Sequence, residues 1–159
     1  MGPYLSEGMR VLEIGPGMGF FTLPMARMVG DKGKIYCVDI QQRMLYALRR
    51  RARKSELWGR IEDRLCSNIS LGISDLSGTI DLAVAIAVVH EVPDSRMLFR
   101  EIRSTLNKKG KVLVTEPRHW VSAENFSATL SVAAETGLVL SSTPKIRGFR
   151  SALLAVKSE

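Results

Sequence analysis

Val11-Leu12-Glu13-Ile14-Gly15-Pro16-Gly17-Met18-Gly19-Phe20-Phe21-Thr22 is the stretch that decides the fold of this chain. An apolar run passes into three glycines at alternate positions and then into a second apolar run. The order spelled out is strand, tight turn, helix: residues 10–14 read as a buried strand, 15–19 as the turn and 20–29 as a helix. Glycine lets the main chain bend sharply and lets a ligand lie against bare backbone. A helix start presents unpaired N–H groups and the positive end of its dipole, which suit a carboxylate as well as a phosphate.

The pattern repeats outward. A Gly30-Asp31-Lys32-Gly33 turn leads to a second strand over 34–39. An amphipathic helix follows over 41–54, with Met44, Leu45, Leu48 and Ala52 on its apolar side. Residues 60–66 read as a weaker third strand, and the Ser- and Gly-rich 68–78 as a loop or short helix. Residues 80–87 are almost continuously apolar, the mark of a central strand covered on both faces. Pro93 and Asp94 open a helix to about Asn107, Lys108-Lys109-Gly110 closes it, and 111–116 form a fifth strand. A helix over 122–136 starts on Ser122 as N-cap and stops at Gly137. The last strands, 138–142 and 151–156, leave no room for a crossover helix and should pair antiparallel. Strands alternating with helices give a doubly wound α/β sheet, helices on both faces, with its ligand site beyond the carboxyl ends of the strands. That site should be built from residues just after Ile14, Asp39, Ala87 and Glu116.

At 159 residues the chain is expected to be one domain over 1–159. Hydrophobic residues make up 45% and charged residues 25%, which argues against disorder. No apolar run approaches the roughly 18 residues of a membrane span, and the first ten residues lack a signal-peptide core, so a cytoplasmic location is expected. Cys37 and Cys66 both fall in stretches read as strands and are taken as packing residues. With two histidines, His90 and His119, no metal site is expected. The net charge of +7 admits an anionic partner. Much of it is local, on Arg43, Arg49, Arg50, Arg51, Arg53 and Lys54 of one helix, where a solvated face is the simpler reading. Aromatic residues do not interleave with these arginines, so nucleic acid is not the favoured partner.

Asp39 lies 20 residues beyond Gly19, where an acid in nucleotide-binding folds accepts hydrogen bonds from ribose hydroxyls. A dinucleotide fingerprint would need glycine at position 20, and Phe20 stands there. The Glu13 carboxylate would repel a pyrophosphate and favour a cationic amino group. S-adenosylmethionine, with an ammonium, a carboxylate, a sulfonium and a ribose, matches Glu13, the glycine turn and Asp39 better than NAD does.

VLEIGPGMGFFT and IYCVDI resemble the first two motifs of class I S-adenosylmethionine-dependent methyltransferases, over nearly the whole chain from about Met9. The resemblance implies a Rossmann-like three-layer sandwich with a seven-stranded, mostly parallel sheet of order 3-2-1-4-5-7-6 and an antiparallel last strand. It implies cofactor contacts at Glu13, Gly15, Pro16, Gly17, Asp39 and Ile40, adenine near Ser67, Asn68 and Ile69, and the methionine part beside Ala87 and Val88. S-adenosylhomocysteine would be the product. The segment IDLAVAIAVVHEVPDSRMLFREIRSTLNKKGKVLVTEP looks like the quinone-biosynthesis branch, so a small-molecule methyl acceptor is expected. The ribosomal RNA adenine dimethyltransferases share the E-I-G-P-G turn, but Ala87-Val88-Val89-His90 stands where they carry Asn-Leu-Pro-Tyr. Arsenite methyltransferases need several reactive thiols, which Cys37 and Cys66 do not supply.

Methyl transfer is an in-line displacement, in which alignment and exclusion of water lower the barrier by roughly 7–11 kcal/mol in good cases. A general base helps where the acceptor must lose a proton. His90 and Glu91 after the fourth strand and Glu116 and His119 after the fifth are the candidate bases; the histidines have wall-lining or capping as their structural alternative, and for Glu116 a structural hydrogen bond is expected. Met18, Met25, Met28 and Met44 are read as core or pocket wall, Trp58 as packing and Trp120 as a residue that could line the acceptor pocket. Members of this family carry tens of residues ahead of the first strand, against Met1 to Gly8 here, so the pocket is expected to be open on one side. A large acceptor, a homo-oligomeric neighbour or a partner subunit would complete it. The alternatives are a cofactor-binding module that needs a partner for activity, or an RNA or protein methyltransferase.

Overall fold

The computed structural model describes residues 2–157. Its strands are β1 (Arg10–Ile14), β2 (Lys34–Asp39), β3 (Ile61–Leu65), β4 (Ile80–Ile86), β5 (Leu106–Pro117), β6 (Leu138–Ser142) and β7 (Phe149–Val156). Its helices are α1 (Thr22–Val29), α2 (Gln42–Lys54), α3 (Ser95–Thr105) and α4 (Ala123–Glu135). The strands form one seven-stranded sheet in the order β3-β2-β1-β4-β5-β7-β6, as expected. The pairs β1·β2, β2·β3, β1·β4 and β4·β5 are parallel; β7 runs antiparallel to both β5 and β6.

Side chains alternate across a strand, so each buried strand feeds two cores. Leu12, Ile14, Tyr36, Val38, Ala83 and Ala85 face the layer built by α3 and α4, through Leu98, Phe99, Ile102, Phe126 and Ala133. Val11, Ile35, Cys37, Leu82 and Val84 face the other layer, against Leu23, Met25, Ala26 and Val29 of α1 and Leu45, Leu48 and Ala52 of α2. The helices enter where their caps dictate: Asp94 accepts from Met97 N at 2.9 Å ahead of α3, and Ser122 accepts from Asn125 N at 3.1 Å ahead of α4. The chain winds from β1 outward to β3, then returns to place β4 on the other side of β1. A cleft opens between β1 and β4 at that reversal.

Several boundaries differ from the sequence reading. The first helix starts at Thr22, not at residue 20, because Gly19 (φ +85°) prolongs the turn, leaving Phe20 exposed. The fifth strand starts at Leu106: Ile80 pairs with Leu106 and Leu82 with Lys111, so the turn expected at Lys108-Lys109-Gly110 is a bulge inside β5. Asn107 Oδ1 closes that bulge by accepting from Lys109 N at 2.9 Å. Cys66 lies one residue past β3 and is half-buried, so only Cys37 is a strand-core cysteine. Met25 is core, Met44 half-buried, and Met18 and Met28 are exposed. Among the described residues no helix is long and apolar enough to cross a membrane.

The arginine-rich helix is partly tied down. Arg49 pairs with Asp63 at 2.7 Å, Arg51 donates to Met18 O at 2.8 Å, and Arg53 stacks over Trp58 at 5.7 Å. Arg43, Arg50, Arg51, Arg53 and Lys54 are exposed, and Arg49 is half-buried.

Candidate active site

The glycine turn is built by collisions it avoids. Gly15 N donates to Val38 O at 2.9 Å, continuing the β1·β2 ladder, while its φ of +65° swings the chain away from the sheet. A Cβ on Gly15 would lie 2.7 Å from Val88 Cγ2, inside van der Waals contact. Gly17, at φ +53°, meets nothing within 4 Å; a side chain there would project into open space. Bare backbone thus forms one wall of a cleft of about 240 Å³.

Asp39 ends β2 beside that turn. It is 7% exposed; Oδ1 accepts from Gln41 N at 2.8 Å and Oδ2 from Gly17 N at 3.3 Å, so the carboxylate and the turn hold each other in register. Ile40, Met44, Cys66, Ser67, Asn68 and Leu71 continue the wall on one side, and Ala87, Val88, Glu91, Val92, Met97 and Leu98 close the other. Ala87 takes φ +54°, a left-handed conformation rare for a residue with a Cβ, and its N–H donates to Thr115 O at 2.7 Å. Such strain persists only where the surroundings enforce it, and it sits here at the cleft.

Glu13 lies elsewhere. Alternation puts its side chain on the same face as Val11, under α1, while Ile14 faces the cleft. Its carboxylate is 3% exposed, accepting from Thr22 Oγ1 at 2.6 Å and from Cys37 Sγ at 3.6 Å. Burial pushes its pKa from 4.5 up to about 7, against the lowering effect of those two bonds. Burial and the neighbouring Glu13 push the Cys37 thiol well above its ordinary value.

Beyond β4 a short 3-10 turn, Val89–Glu91, carries His90 across to β5. Glu116, 1% exposed, accepts from Val89 N at 2.8 Å through Oε1 and meets His90 Nδ1 at 2.6 Å through Oε2. Trp120, 64% exposed, stands with its ring 5.7 Å from the imidazole of His90 and 4.7 Å from that of His119. His119 itself is exposed.

A family profile described as a methyltransferase domain matches residues 5–144. The chain belongs to this methyltransferase domain family. It is 29% identical over 115 residues to a ubiquinone/menaquinone biosynthesis C-methyltransferase of Shewanella woodyi, covering 70% of this chain and 45% of that protein. The chain thus spans less than half the length of that curated relative. Among solved structures, an S-adenosylmethionine-dependent methyltransferase from Aquifex aeolicus superposes with a TM-score of 0.81 at 21% identity, over 95% of this chain and 85% of that one. A geranyl diphosphate C-methyltransferase from Streptomyces coelicolor gives 0.75 at 16%, over 96% of this chain and 75% of that one. These place the fold as the class I methyltransferase fold expected from the motifs.

Within this methyltransferase domain the expected cofactor residues divide. Gly15, Gly17, Asp39, Ile40, Ser67, Asn68, Ala87 and Val88 share the cleft. Pro16 is buried behind the turn, where its carbonyl accepts from Gly19 N at 2.9 Å. Ile69, expected near adenine, has a side chain 85% exposed and does not line the cleft. Glu13, expected to meet the cofactor, has its side chain on the α1 side of the sheet, bonded to Thr22 and Cys37. Gln41, Cys66, Leu71, Met97 and Leu98 line the cleft without having been foreseen as site residues, while Met44, read as core or pocket wall, is wall, and Glu91 lines it too. Met44 and Met97 sit in the first turns of helices that follow lip residues, and that position was the available signal.

Proposed function

We propose that this chain binds S-adenosylmethionine in the β1–β4 cleft and transfers its methyl group to a small-molecule acceptor, releasing S-adenosylhomocysteine. The observation that carries the proposal is the meeting of Asp39 Oδ2 with Gly17 N at 3.3 Å on the β1–β2 wall of the cleft. The residues present fit such a group. Open space in front of Gly17 admits a ligand against the main chain, Asp39 can receive ribose hydroxyls, and Met44, Leu71, Met97 and Leu98 offer apolar walls for a base. The cofactor, when bound, supplies a methyl carbon already activated by the sulfonium. The chain's part is to orient the two reactants and keep water out.

Calorimetry with S-adenosylhomocysteine tests this. Wild type should bind it, and Asp39→Ala should lose roughly 1.5–3 kcal/mol, the worth of hydrogen bonds to a charged group. Binding of a pyridine dinucleotide in its place would refute the reading. The exposed Ile40, half open to solvent, and Trp120 favour a site completed by something further, either the acceptor itself or a second subunit. Sedimentation with and without S-adenosylhomocysteine separates the two. A cytoplasmic setting belongs to the same proposal and agrees with two free cysteines.

A further inference from the structure

We infer that Glu116 positions His90 so that imidazole Nε2 receives the proton the methyl acceptor loses, which makes the acceptor a molecule with an ionisable O–H or N–H on, or conjugated with, the methylated atom. The inference rests on the methyltransferase reading and adds to it a base and a substrate class.

The geometry leaves little choice of tautomer. Glu116 is all but fully buried and its carboxylate only accepts hydrogen bonds. One oxygen is committed to Val89 N at 2.8 Å and the other to His90 Nδ1 at 2.6 Å. With Glu116 as a carboxylate, Nδ1 carries the hydrogen, and in the neutral ring the lone pair is then on Nε2. That nitrogen lies 3.9 Å from the Glu91 carboxylate, and Glu91 lines the cleft. The ring is a quarter exposed, its Nε2 edge lies near this cleft-lining residue, and the Trp120 ring is 5.7 Å away. A carboxylate bonded to Nδ1–H holds an imidazole in the tautomer a base needs and stabilises the imidazolium that forms. The imidazolium here would stand between Glu116 and Glu91. The balance is complete: the acceptor's O–H or N–H bond breaks and its proton passes to Nε2. The electron pair left on the acceptor forms the new bond to the methyl carbon, and the carbon–sulfur pair departs with sulfur as a neutral thioether. His119, exposed and without a carboxylate on its ring, has no such arrangement.

A purely structural role is the competing account: Glu116 would anchor the turn after β4 through Val89 and hold His90 as a plug. Two-bond 1H–15N spectra of uniformly labelled protein with S-adenosylhomocysteine separate them, His90 being assigned by its loss in His90→Gln. Wild type should show a protonated Nδ1 and a pyridine-like Nε2. Glu116→Gln keeps a single carbonyl, which the buried Val89 N–H retains. Its NH2 then faces Nδ1, so the hydrogen should move to Nε2. On a panel of simple phenols with labelled S-adenosylmethionine, Glu116→Gln and His90→Gln should lower kcat by about 10²–10⁴-fold. KM and S-adenosylhomocysteine affinity should stay within about twofold. A hydrogen on Nε2 in wild type, an unchanged tautomer in Glu116→Gln, or an unchanged kcat overturns the inference. Should Glu116→Gln fail to fold, the wild-type tautomer and His90→Gln still decide. Failure of wild type to bind S-adenosylhomocysteine would instead sink the methyltransferase reading itself.

Discussion

Gly15→Ala and Gly17→Ala should differ because of their surroundings, although both residues sit at positive φ. At φ +65° and +53° an alanine costs about 1–2 kcal/mol in either place, from its Cβ against the following carbonyl. Gly17 adds nothing further, since its Cβ would meet open space. Gly15 adds a collision: Val88 Cγ2 at 2.7 Å is well inside the 3.5–4.0 Å optimum for two carbons. Overpacking of this kind costs about 1–3 kcal/mol, so Gly15→Ala should lose about 2–5 kcal/mol in total. Val88→Ala in the Gly15→Ala background removes the struck methyls. Urea unfolding of the four proteins should therefore give a coupling of about 1–3 kcal/mol, the double variant being more stable than the sum of the singles. Gly17→Ala should stay folded yet lose at least about tenfold in S-adenosylhomocysteine affinity, roughly 1.4 kcal/mol, because its new methyl enters the cleft. Equal destabilisation by the two alanines, or a coupling below about 0.5 kcal/mol, would refute the packing argument. Normal binding by Gly17→Ala would remove the glycine turn from the cofactor site.

Glu13 gives the protein a pH-dependent stability. Burial lifts its pKa from 4.5 to about 7, so between those values the folded chain holds a proton that the unfolded chain has released. Stability is complete below pH 4.5, falls on the order of 3 kcal/mol as pH rises through about 7 and is level beyond, and Glu13→Gln should flatten that slope in urea titrations at pH 5 and pH 8. Identical slopes in the two proteins would show that the carboxyl is not buried as described. Cys66, half-buried in the cleft with a thiol that burial and Asp39 push upward, should react slowly with a maleimide at neutral pH and faster at higher pH, and S-adenosylhomocysteine should protect it. Cys37 should stay unlabelled until the protein unfolds; its modification in native conditions would contradict its complete burial.

The doubly wound α/β class and the antiparallel end were legible because they depend on coarse signals, whereas the strand order followed from the resemblance to the methyltransferase family. Continuous apolar runs at 80–86 and alternation with helices demand a doubly covered parallel sheet, and a 138–156 hairpin too short for a crossover demands an antiparallel end. What escaped the reading depends on single residues. Nothing local marks Leu106 as the start of β5, since its pairing with Ile80 is a tertiary contact across a bulge. The position of Glu13 one residue before the strand end suggested the cleft, while side-chain direction follows parity, and residue 13 shares parity with Val11 on the α1 side. The same parity was readable in advance and would have given the buried contact with Cys37. Ile69 was a loop residue, where neither parity nor period applies.

Two buried carboxylates near the cleft differ in what surrounds them. The acid next to the glycine turn looked like a ligand group in the sequence, while the acid at the end of β5 was expected to make a structural hydrogen bond. In three dimensions each serves one element: Glu13 ties β1 to α1 through Thr22, and Glu116 ties β5 to the turn after β4 through Val89 N. Of the two, Glu116 has its second oxygen on a titratable ring, that of His90. A structural acid can thus acquire chemical work by having one acceptor left over. Both bonds to Glu13, from Thr22 and Cys37, fall on one oxygen, Oε2, whereas the two oxygens of Glu116 are divided between Val89 N and His90. That contrast is why the acid–base chemistry of this domain is assigned to the β4–β5 side of the cleft while the cofactor is assigned to the β1–β2 side.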